Sequence, residues 1–108
     1  MIAVQHHLES DGRSPFADWF DGLSDPAAAK VAVALKRVEL GNLSNTRSVG
    51  EGVHEYRVDF GPGYRVYFGR DGDALIVLLD GAVKKRQQRD IETAKNRWTD
   101  YKRRKSGK

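Results

Sequence analysis

Several residue types are missing or scarce in this chain. Its 108 residues contain no cysteine, one methionine and three prolines. The lack of cysteine excludes a disulfide framework and a thiolate metal site, and it fits a reducing compartment. No apolar run reaches the roughly 18 residues needed to span a bilayer, and the N-terminus lacks a signal-peptide pattern. We therefore expect a cytoplasmic protein that does not enter the membrane, folded as one domain over residues 1–108.

Charge is unevenly distributed along the chain. The net charge is +4, but residues 83–108 hold 11 Lys or Arg against 3 acidic residues, whereas residues 1–82 hold 8 against 12. A basic segment on an acidic body favours a polyanionic partner, nucleic acid first and an acidic membrane surface second. A solvated helix with a basic tail at about residues 102–108, a candidate for disorder, would explain the same charges equally well.

The first half of the sequence predicts a strand and two helices. Weak alternation over Ile2–His7 indicates a short strand. Ser14-Pro15 and Asp25-Pro26 each combine an N-cap residue with a first-turn proline, and apolar residues at helical spacing follow both. We expect the second helix to run to Gly41 and the two helices to form an antiparallel hairpin, followed by a loop over Asn42–Gly52.

Two alternating segments, Glu55–Phe60 and Tyr64–Phe68, predict a β-hairpin around a Gly-Pro-Gly turn. A two-residue loop would place Arg57 opposite Val66. A three-residue loop pairs Arg57 with Tyr67, brings the apolar residues of both strands together and leaves glycines where positive φ is needed. We favour the three-residue loop, which gathers the polar residues of both strands on one surface.

The remaining chain predicts one buried strand and a final helix. Ala74–Leu79 is a continuous apolar run, as expected of a strand buried on both faces, and Gly81 is expected to end it. From about Arg86 the pattern becomes helical. The expected fold is an α+β domain with an N-terminal strand, a helical hairpin, an antiparallel three-strand meander and a C-terminal helix. The apolar stripe of that last helix comprises Ile91, Ala94, Trp98 and Tyr101.

One cluster of residues could carry chemistry. Arg57, Arg65 and Tyr67 share the polar surface of the hairpin, and Lys84 leaves the third strand at the same sheet edge. Arginine and lysine suit phosphate, while tyrosine offers a ring for base stacking and a hydroxyl for proton transfer. These four are the candidate catalytic residues. The candidate RNA-binding residues around them are Arg47, Lys85, Arg86, Gln87 and Arg89.

A purely structural interpretation of the same residues is also open. Arg57 and Arg65 could pair across the hairpin with Glu55 and Asp59, each pair worth a few tenths of a kcal/mol. Tyr67 could be a half-buried strand tyrosine. Considered alone, each residue fits this interpretation better.

The sequence offers no pattern for a metal or a cofactor. The three histidines, His6, His7 and His54, lack a His-x-x-x-His spacing. No serine or cysteine nucleophile, paired-carboxylate pattern or nucleotide-binding fingerprint is present. We therefore expect neither a metal site nor a bound cofactor.

Two strings of residues resemble a known family. They are the Gly-Pro-Gly-Tyr-Arg-Val-Tyr-Phe string of residues 61–68 and the Lys-x-x-Gln-x-x-Asp-Ile-x-x-Ala string of residues 84–94. Together with Glu55-x-Arg57 and further matches nearly end to end, they resemble the RelE/ParE superfamily of toxins from bacterial toxin–antitoxin modules. The closest resemblance is to the HigB-like "addiction module killer protein" branch.

The resemblance implies a fold, an activity and partners. It implies the compact RelE-like toxin fold and a metal-independent endoribonuclease that cuts translated mRNA in the ribosomal A site, inhibiting translation. It also implies a helix-turn-helix antitoxin, through which alone the toxin would reach operator DNA. By position, Arg57, Arg65 and Lys84 match the basic site residues of the family, and Tyr67 lies on the same surface.

Two other functions remain open at this point. ParE-like relatives share the fold and inhibit DNA gyrase without a hydrolytic site. A non-catalytic nucleic-acid-binding module is the other alternative. The predicted cluster of three cations and a tyrosine favours the nuclease, because gyrase inhibition does not require it.

Overall fold

The computed structural model describes residues 1–83 and 87–106, without the side chain of Gln87. The described residues form the predicted α+β domain, with the three expected helices and with five strands, one more than expected. No helix in this part of the chain has the length and apolar character to cross a membrane. In chain order the elements are β1 (Ala3–His6), α1 (Pro15–Asp21), α2 (Asp25–Glu39), β2 (Thr46–Gly50), β3 (Val53–Val58), β4 (Tyr64–Asp71), β5 (Leu75–Val83) and α3 (Gln87–Ser106).

The five strands form one mixed sheet in the order β1-β5-β4-β3-β2. The predicted antiparallel meander is present as β3, β4 and β5. The N-terminal strand β1 runs parallel to β5 on one side, and β2 adds an antiparallel strand on the other. The meander therefore forms the centre of the sheet.

Strand β2 corrects the loop predicted over Asn42–Gly52. Residues Thr46–Gly50 pair with β3 at the sheet edge, with a register shift between Ser48 and Gly50. The sequence gives little sign of this strand because an edge strand of polar residues does not alternate against a core. The chain then turns sharply, with Glu51 at a φ of 56°.

The register of the β3–β4 hairpin differs from the predicted one by two residues. Val58 pairs with Tyr64 and Arg57 with Arg65, so Arg57 does not lie opposite Tyr67. The strand pairing stops at Val58 and Tyr64 because the segment between them forms a turn of its own. In that turn the Gly63 N–H donates to the Phe60 carbonyl oxygen over 2.9 Å. A shift of two residues preserves which side chains share a face.

Local signals set the helix boundaries closely. The hydroxyl of Ser14 accepts a hydrogen bond from the Ala17 N–H at 3.0 Å and caps α1. Ser24, one residue before the expected Asp25, caps α2 in the same way. Helix α2 ends at Glu39, and Gly41 follows with a φ of 89°, as a helix stop requires.

The sheet lies between two helical layers. Helices α1 and α2 pack on one face, in a core that includes Phe16, Val31 and Phe68. Helix α3 packs on the other face through Ile91, Ala94 and Trp98, as its apolar stripe predicts. Strand β5 is consequently buried on both faces. The second core also contains Val53, Tyr67, Val77, Leu79 and Ala82.

Gly81 does not end β5, as the sequence suggested, but lies within it. A Cβ atom at this position would be 2.1 Å from the Trp19 ring, so only glycine lets α1 approach the sheet. Gly69 has the same relation to Trp98 of α3, with a Cβ at 2.4 Å from its ring. Each helical layer thus places a tryptophan directly on a strand glycine.

Helix α3 continues through the range where the sequence suggested a basic tail. It extends to Ser106 and so includes Lys102–Lys105. Arg104 Nη2 donates to the Leu8 carbonyl oxygen at 2.6 Å, and Lys105 pairs with Asp71. The basic end of α3 therefore contacts the body of the domain.

Candidate functional site

The predicted polar surface of the hairpin faces α3 and is largely covered by it. Tyr67 and Glu55 are completely buried and Arg65 is 8% exposed, whereas Arg57 is exposed. The expectation of an open polar surface is therefore wrong for most of this face. The reason is that the apolar stripe of α3 has to pack on a sheet face, and α1 and α2 occupy the other one.

Glu55 is the centre of the buried polar group. Its Oε1 accepts hydrogen bonds from Arg65 Nη1 at 2.6 Å and Arg47 Nε at 2.9 Å. Its Oε2 accepts one from the Tyr67 hydroxyl at 3.1 Å. Register explains the convergence, because Glu55 on β3 lies opposite Arg47 on β2 and opposite Tyr67 on β4. One carboxylate thus connects three of the predicted site residues.

The charges of this group decide its protonation. Burial raises the pKa of Glu55, but the Arg47 hydrogen bond and the charges of Arg65 and Arg47 outweigh burial, so the pKa lies below its usual range. Burial, followed by the charge and hydrogen bond of Glu55, raises the pKa of Tyr67 far above its usual range. The cluster therefore contains an ionised carboxylate and a neutral tyrosine at neutral pH.

Arg57 is exposed to solvent, unlike Arg65 and Tyr67. It pairs in the sheet with Arg65, so the two guanidinium groups belong to the same row. Within residues 1–83 and 87–106, the Arg57 side chain makes no hydrogen bond or ion pair. It also borders a depression of about 250 Å³ beside α2, whose charged lining comprises Lys30, Arg37 and the acidic Asp59. An exposed arginine with no described partner can bind a phosphate directly.

The other predicted site residues lie in different places. Arg47 is on the edge strand, about half exposed, and Arg89 is exposed in the first turn of α3. Lys84, Lys85 and Arg86 lie outside the described residues, as does the side chain of Gln87, whose backbone begins α3. In the sequence, these residues follow directly after β5.

The histidines have local partners. His6 Nδ1 is 2.8 Å from the Ser14 hydroxyl, and the ring of His54 stacks on Phe68. His7 is buried and its Nε2 lies 3.2 Å from Glu9 Oε2. In the part of the chain that the structure describes, no group of three or more His, Cys, Asp or Glu side chains is arranged to hold a metal ion.

A second polar network, which the sequence did not reveal, joins α3 to the body of the domain. Arg97 donates to Asp80 on β5 at 2.6 Å and to Glu9 at 3.3 Å. The two Arg97 pairs link segments 17 and 88 residues apart, so no local pattern could have found them. Within α3, Arg104 donates to Asp100 at 2.6 Å in an i,i+4 pair. Glu55, by contrast, was detectable, because it alternates in phase with Arg57.

Comparison with known proteins gives the family. Residues 18–99 match the family described as "Phage derived protein Gp49-like (DUF891)". The chain belongs to this Gp49-like family. Gp49-like proteins are a RelE/addiction-module-like toxin family, which indicates a toxin of a toxin–antitoxin pair with an antitoxin as its partner. The matched range contains the whole buried cluster around Glu55.

A relative of similar size occurs in Haemophilus influenzae strain Rd. It is 40% identical to the present chain over 81 residues, which are 74% of this chain and 82% of the relative. That protein is described as an uncharacterized protein. The similarity therefore supports the common family without naming a substrate.

Proposed function

We propose that this Gp49-like toxin belongs to the HigB-like branch and cleaves mRNA on the ribosome without a metal ion. The observation that carries the proposal is the position of Arg57. It is exposed and uncommitted, next to the buried Arg65 that Glu55 holds in place. In the sequence, Lys84-Lys85-Arg86 follows β5, the strand whose Ala82 pairs with Arg65.

The proposed reaction uses the 2′-hydroxyl of the RNA as nucleophile. Its oxygen attacks the adjacent phosphorus, the bond to the 5′-oxygen of the next nucleotide breaks, and the products are a 2′,3′-cyclic phosphate and a 5′-hydroxyl. The proton leaving the 2′-hydroxyl is balanced by one delivered to the leaving oxygen. We assign proton acceptance to the neutral amine form of Lys84, which neighbouring like charges favour, and delivery of a proton to the leaving oxygen to a water molecule. The ribosome supplies much of the alignment by holding the message in the A site.

The arginines would stabilise the additional negative charge of the phosphorane. Arg57 would contact the phosphate directly. Arg65, its pairing partner in the sheet, would stabilise the same negative charge with most of its side chain shielded from water. Tyr67 is a positioning residue in this scheme. Its hydroxyl already donates to Glu55 and its raised pKa opposes loss of the proton, so its role is to fix Glu55 and, through it, Arg65.

The proposed partners follow the same chemistry. The basic end of α3, which includes Lys102 and Arg103, would attract ribosomal RNA through sequence-independent phosphate contacts. A helix-turn-helix antitoxin would neutralise the toxin and carry it to operator DNA. Arg89, in the first turn of α3, would contact the message beside the cleavage site.

Primer extension on cellular mRNA tests the proposal. The protein and its Arg57→Ala variant would be induced without antitoxin, with Arg13→Ala as the matched control. Arg13→Ala removes the same charge from an exposed arginine. Arg13 pairs with Asp18 and does not belong to the cluster. We expect breaks in translated messages with the parent protein and with Arg13→Ala, and intact messages with Arg57→Ala.

Two outcomes would overturn the proposal. Growth arrest with intact messages and broken DNA would assign the toxin to gyrase inhibition instead. Message cleavage by Arg57→Ala at the parent level would show that this arginine does not carry the chemistry.

A further inference from the structure

A polar groove lies between the edge strand β2 and the first turns of α3. Its volume is about 660 Å³, within the range of pockets that bind small molecules and cofactors. No part of the proposed cleavage reaction uses it. The groove is lined by residues 47–50 of β2 and by Gln88, Ile91 and Lys95 of α3.

Two cations line this groove with donors to spare. Arg47 Nε is held by buried Glu55 at 2.9 Å, and within the described ranges its two terminal nitrogens make no hydrogen bond. Lys95 Nζ lies 3.6 Å from Glu51 Oε2, too far for a strong hydrogen bond. The Lys95 side chain is only 19% exposed, so its position is fixed while its ammonium remains available.

The rest of the groove suits a flat, partly polar group. Ile91 is 7% exposed and provides an apolar wall. Gln88 donates from Nε2 to Glu92, and its side-chain carbonyl oxygen accepts no hydrogen bond among the described residues. Gly50 has a φ of 101°, and a Cβ there would be 3.3 Å from Lys95 Nζ. Glycine thus keeps β2 clear of the lysine.

We infer that this groove binds one nucleotide of the RNA chain beside the cleaved bond. Arg47 and Lys95 would hold its phosphate, and its base would lie on Ile91 with an edge toward the Gln88 carboxamide. The inference rests on the proposed function for the identity of the substrate. Glu55 connects the two sites, because it binds Arg47 of the groove and Arg65 of the proposed cleavage site.

A peptide strand added to β2 is the alternative occupant, and the structure favours it less. The strand is five residues long and its register is shifted between Ser48 and Gly50. Short, irregular edges are poor templates for a further strand. Two adjacent cations with free donors, in contrast, match a phosphodiester.

The test is fluorescence anisotropy with a labelled single-stranded hexauridine RNA, measured with the full chain at several salt concentrations. We expect Lys95→Gln to weaken binding by about 10-fold or more, as for loss of one charge-assisted hydrogen bond. Its slope of log affinity against log salt should fall by about 0.7, the value for one phosphate contact of a single strand. Glu51→Gln, which frees Lys95, should tighten binding about 2- to 3-fold.

Lys36→Gln is the matched control. Lys36 also pairs with a glutamate, Glu39, at 3.5 Å, but it lies on α2 at the opposite face of the sheet. Its affinity should stay within about twofold of the parent. An equal loss for Lys36→Gln and Lys95→Gln would reduce the effect to net charge and overturn the inference. So would unchanged binding in both Lys95→Gln and Glu51→Gln, or no RNA binding by the parent protein.

Message cleavage separates this inference from the proposed function. If the parent protein leaves mRNA intact while the Lys95 and Lys36 variants still differ in RNA affinity, the groove stands and the nuclease proposal fails. If the parent protein cleaves mRNA while Lys95→Gln binds RNA normally, the nuclease stands and the groove assignment fails.

Discussion

Arg65 and Arg57 should respond very differently to truncation, although they are paired neighbours in the sheet. Arg65→Ala removes a guanidinium that is 8% exposed and leaves completely buried Glu55 with fewer donors. Breaking a buried ion pair by removing one partner costs about 3–5 kcal/mol. We place this variant at the lower end, about 3 kcal/mol, because Arg47 and Tyr67 still donate to Glu55.

The same change at Arg57 should cost almost nothing in stability. Its side chain is exposed and has no described partner, so Arg57→Ala should change the free energy of unfolding by less than about 0.5 kcal/mol. For a domain of this size, a loss of about 3 kcal/mol in Arg65→Ala lowers Tm by roughly 10–20 °C. Urea and thermal unfolding followed by circular dichroism measure both variants against the parent protein.

This pair of variants checks how Arg65 is held. An Arg65→Ala protein within about 1 kcal/mol of the parent would refute the buried pair with Glu55. Loss of toxicity in Arg65→Ala would therefore not identify a catalytic role by itself, because the variant combines a folding defect with a lost charge. Arg57→Ala does not have this ambiguity.

Three further predictions concern other parts of the domain. Gly81→Ala should lower the free energy of unfolding in urea by about 1–3 kcal/mol, because the new Cβ would overlap the Trp19 ring; stability equal to the parent would show that α1 can move away. Burial lowers the pKa of His7, so the unfolded chain binds this proton more tightly than the folded one, and stability should fall as pH drops below about 6.5. His7→Asn should flatten that fall, and an unchanged pH profile would contradict the assignment. Arg97→Ala should cost about 1–3 kcal/mol in the same urea assay because it removes the cation beside partly buried Asp80, and a neutral result would mean that solvent replaces the pair.

Those parts of the fold that depend on neighbouring residues could be predicted from the sequence. Ser14-Pro15 fixes the start of α1, because the Ser14 hydroxyl accepts a hydrogen bond from the backbone N–H three residues later. The apolar stripe containing Ile91 and Trp98 fixes which side of α3 is buried. The apolar run of β5 likewise predicted burial on both faces. Each of these features is determined within one or two turns of chain or along one strand.

Features that depend on distant residues were missed. Alternation placed Arg57 and Arg65 on one face but does not tell what packs on that face, so the burial of Arg65 came only with the position of α3. The turn after Val58 closes with its own hydrogen bonds. It thereby shifts the strand register by two residues from the pairing that alternation favoured. Edge strand β2 lacked a periodic signal altogether.

The sequence predicted that three of the candidate site residues share one face of the sheet, but not how they are arranged there. The sequence brought Arg57, Arg65 and Tyr67 together, and the structure places all three in two adjacent rows of one face. A cross-strand pair of Arg65 with Glu55 was one interpretation that the sequence left open, but the sequence did not predict that Tyr67 would join it or that the pair would be buried instead of lying at the surface. That distinction depends on the burial that α3 imposes.

The most direct measurement is the cleavage rate of mRNA held in the A site of purified ribosomes, with the parent protein and with Arg57→Ala. The account predicts cleavage by the parent protein, with a 2′,3′-cyclic phosphate on the upstream fragment and a 5′-hydroxyl on the downstream one. Arg57→Ala should be slower by about 100-fold or more, the usual cost of removing one donor to a developing anion, while remaining folded. Intact message with the parent protein, or an undiminished rate with Arg57→Ala, would contradict it.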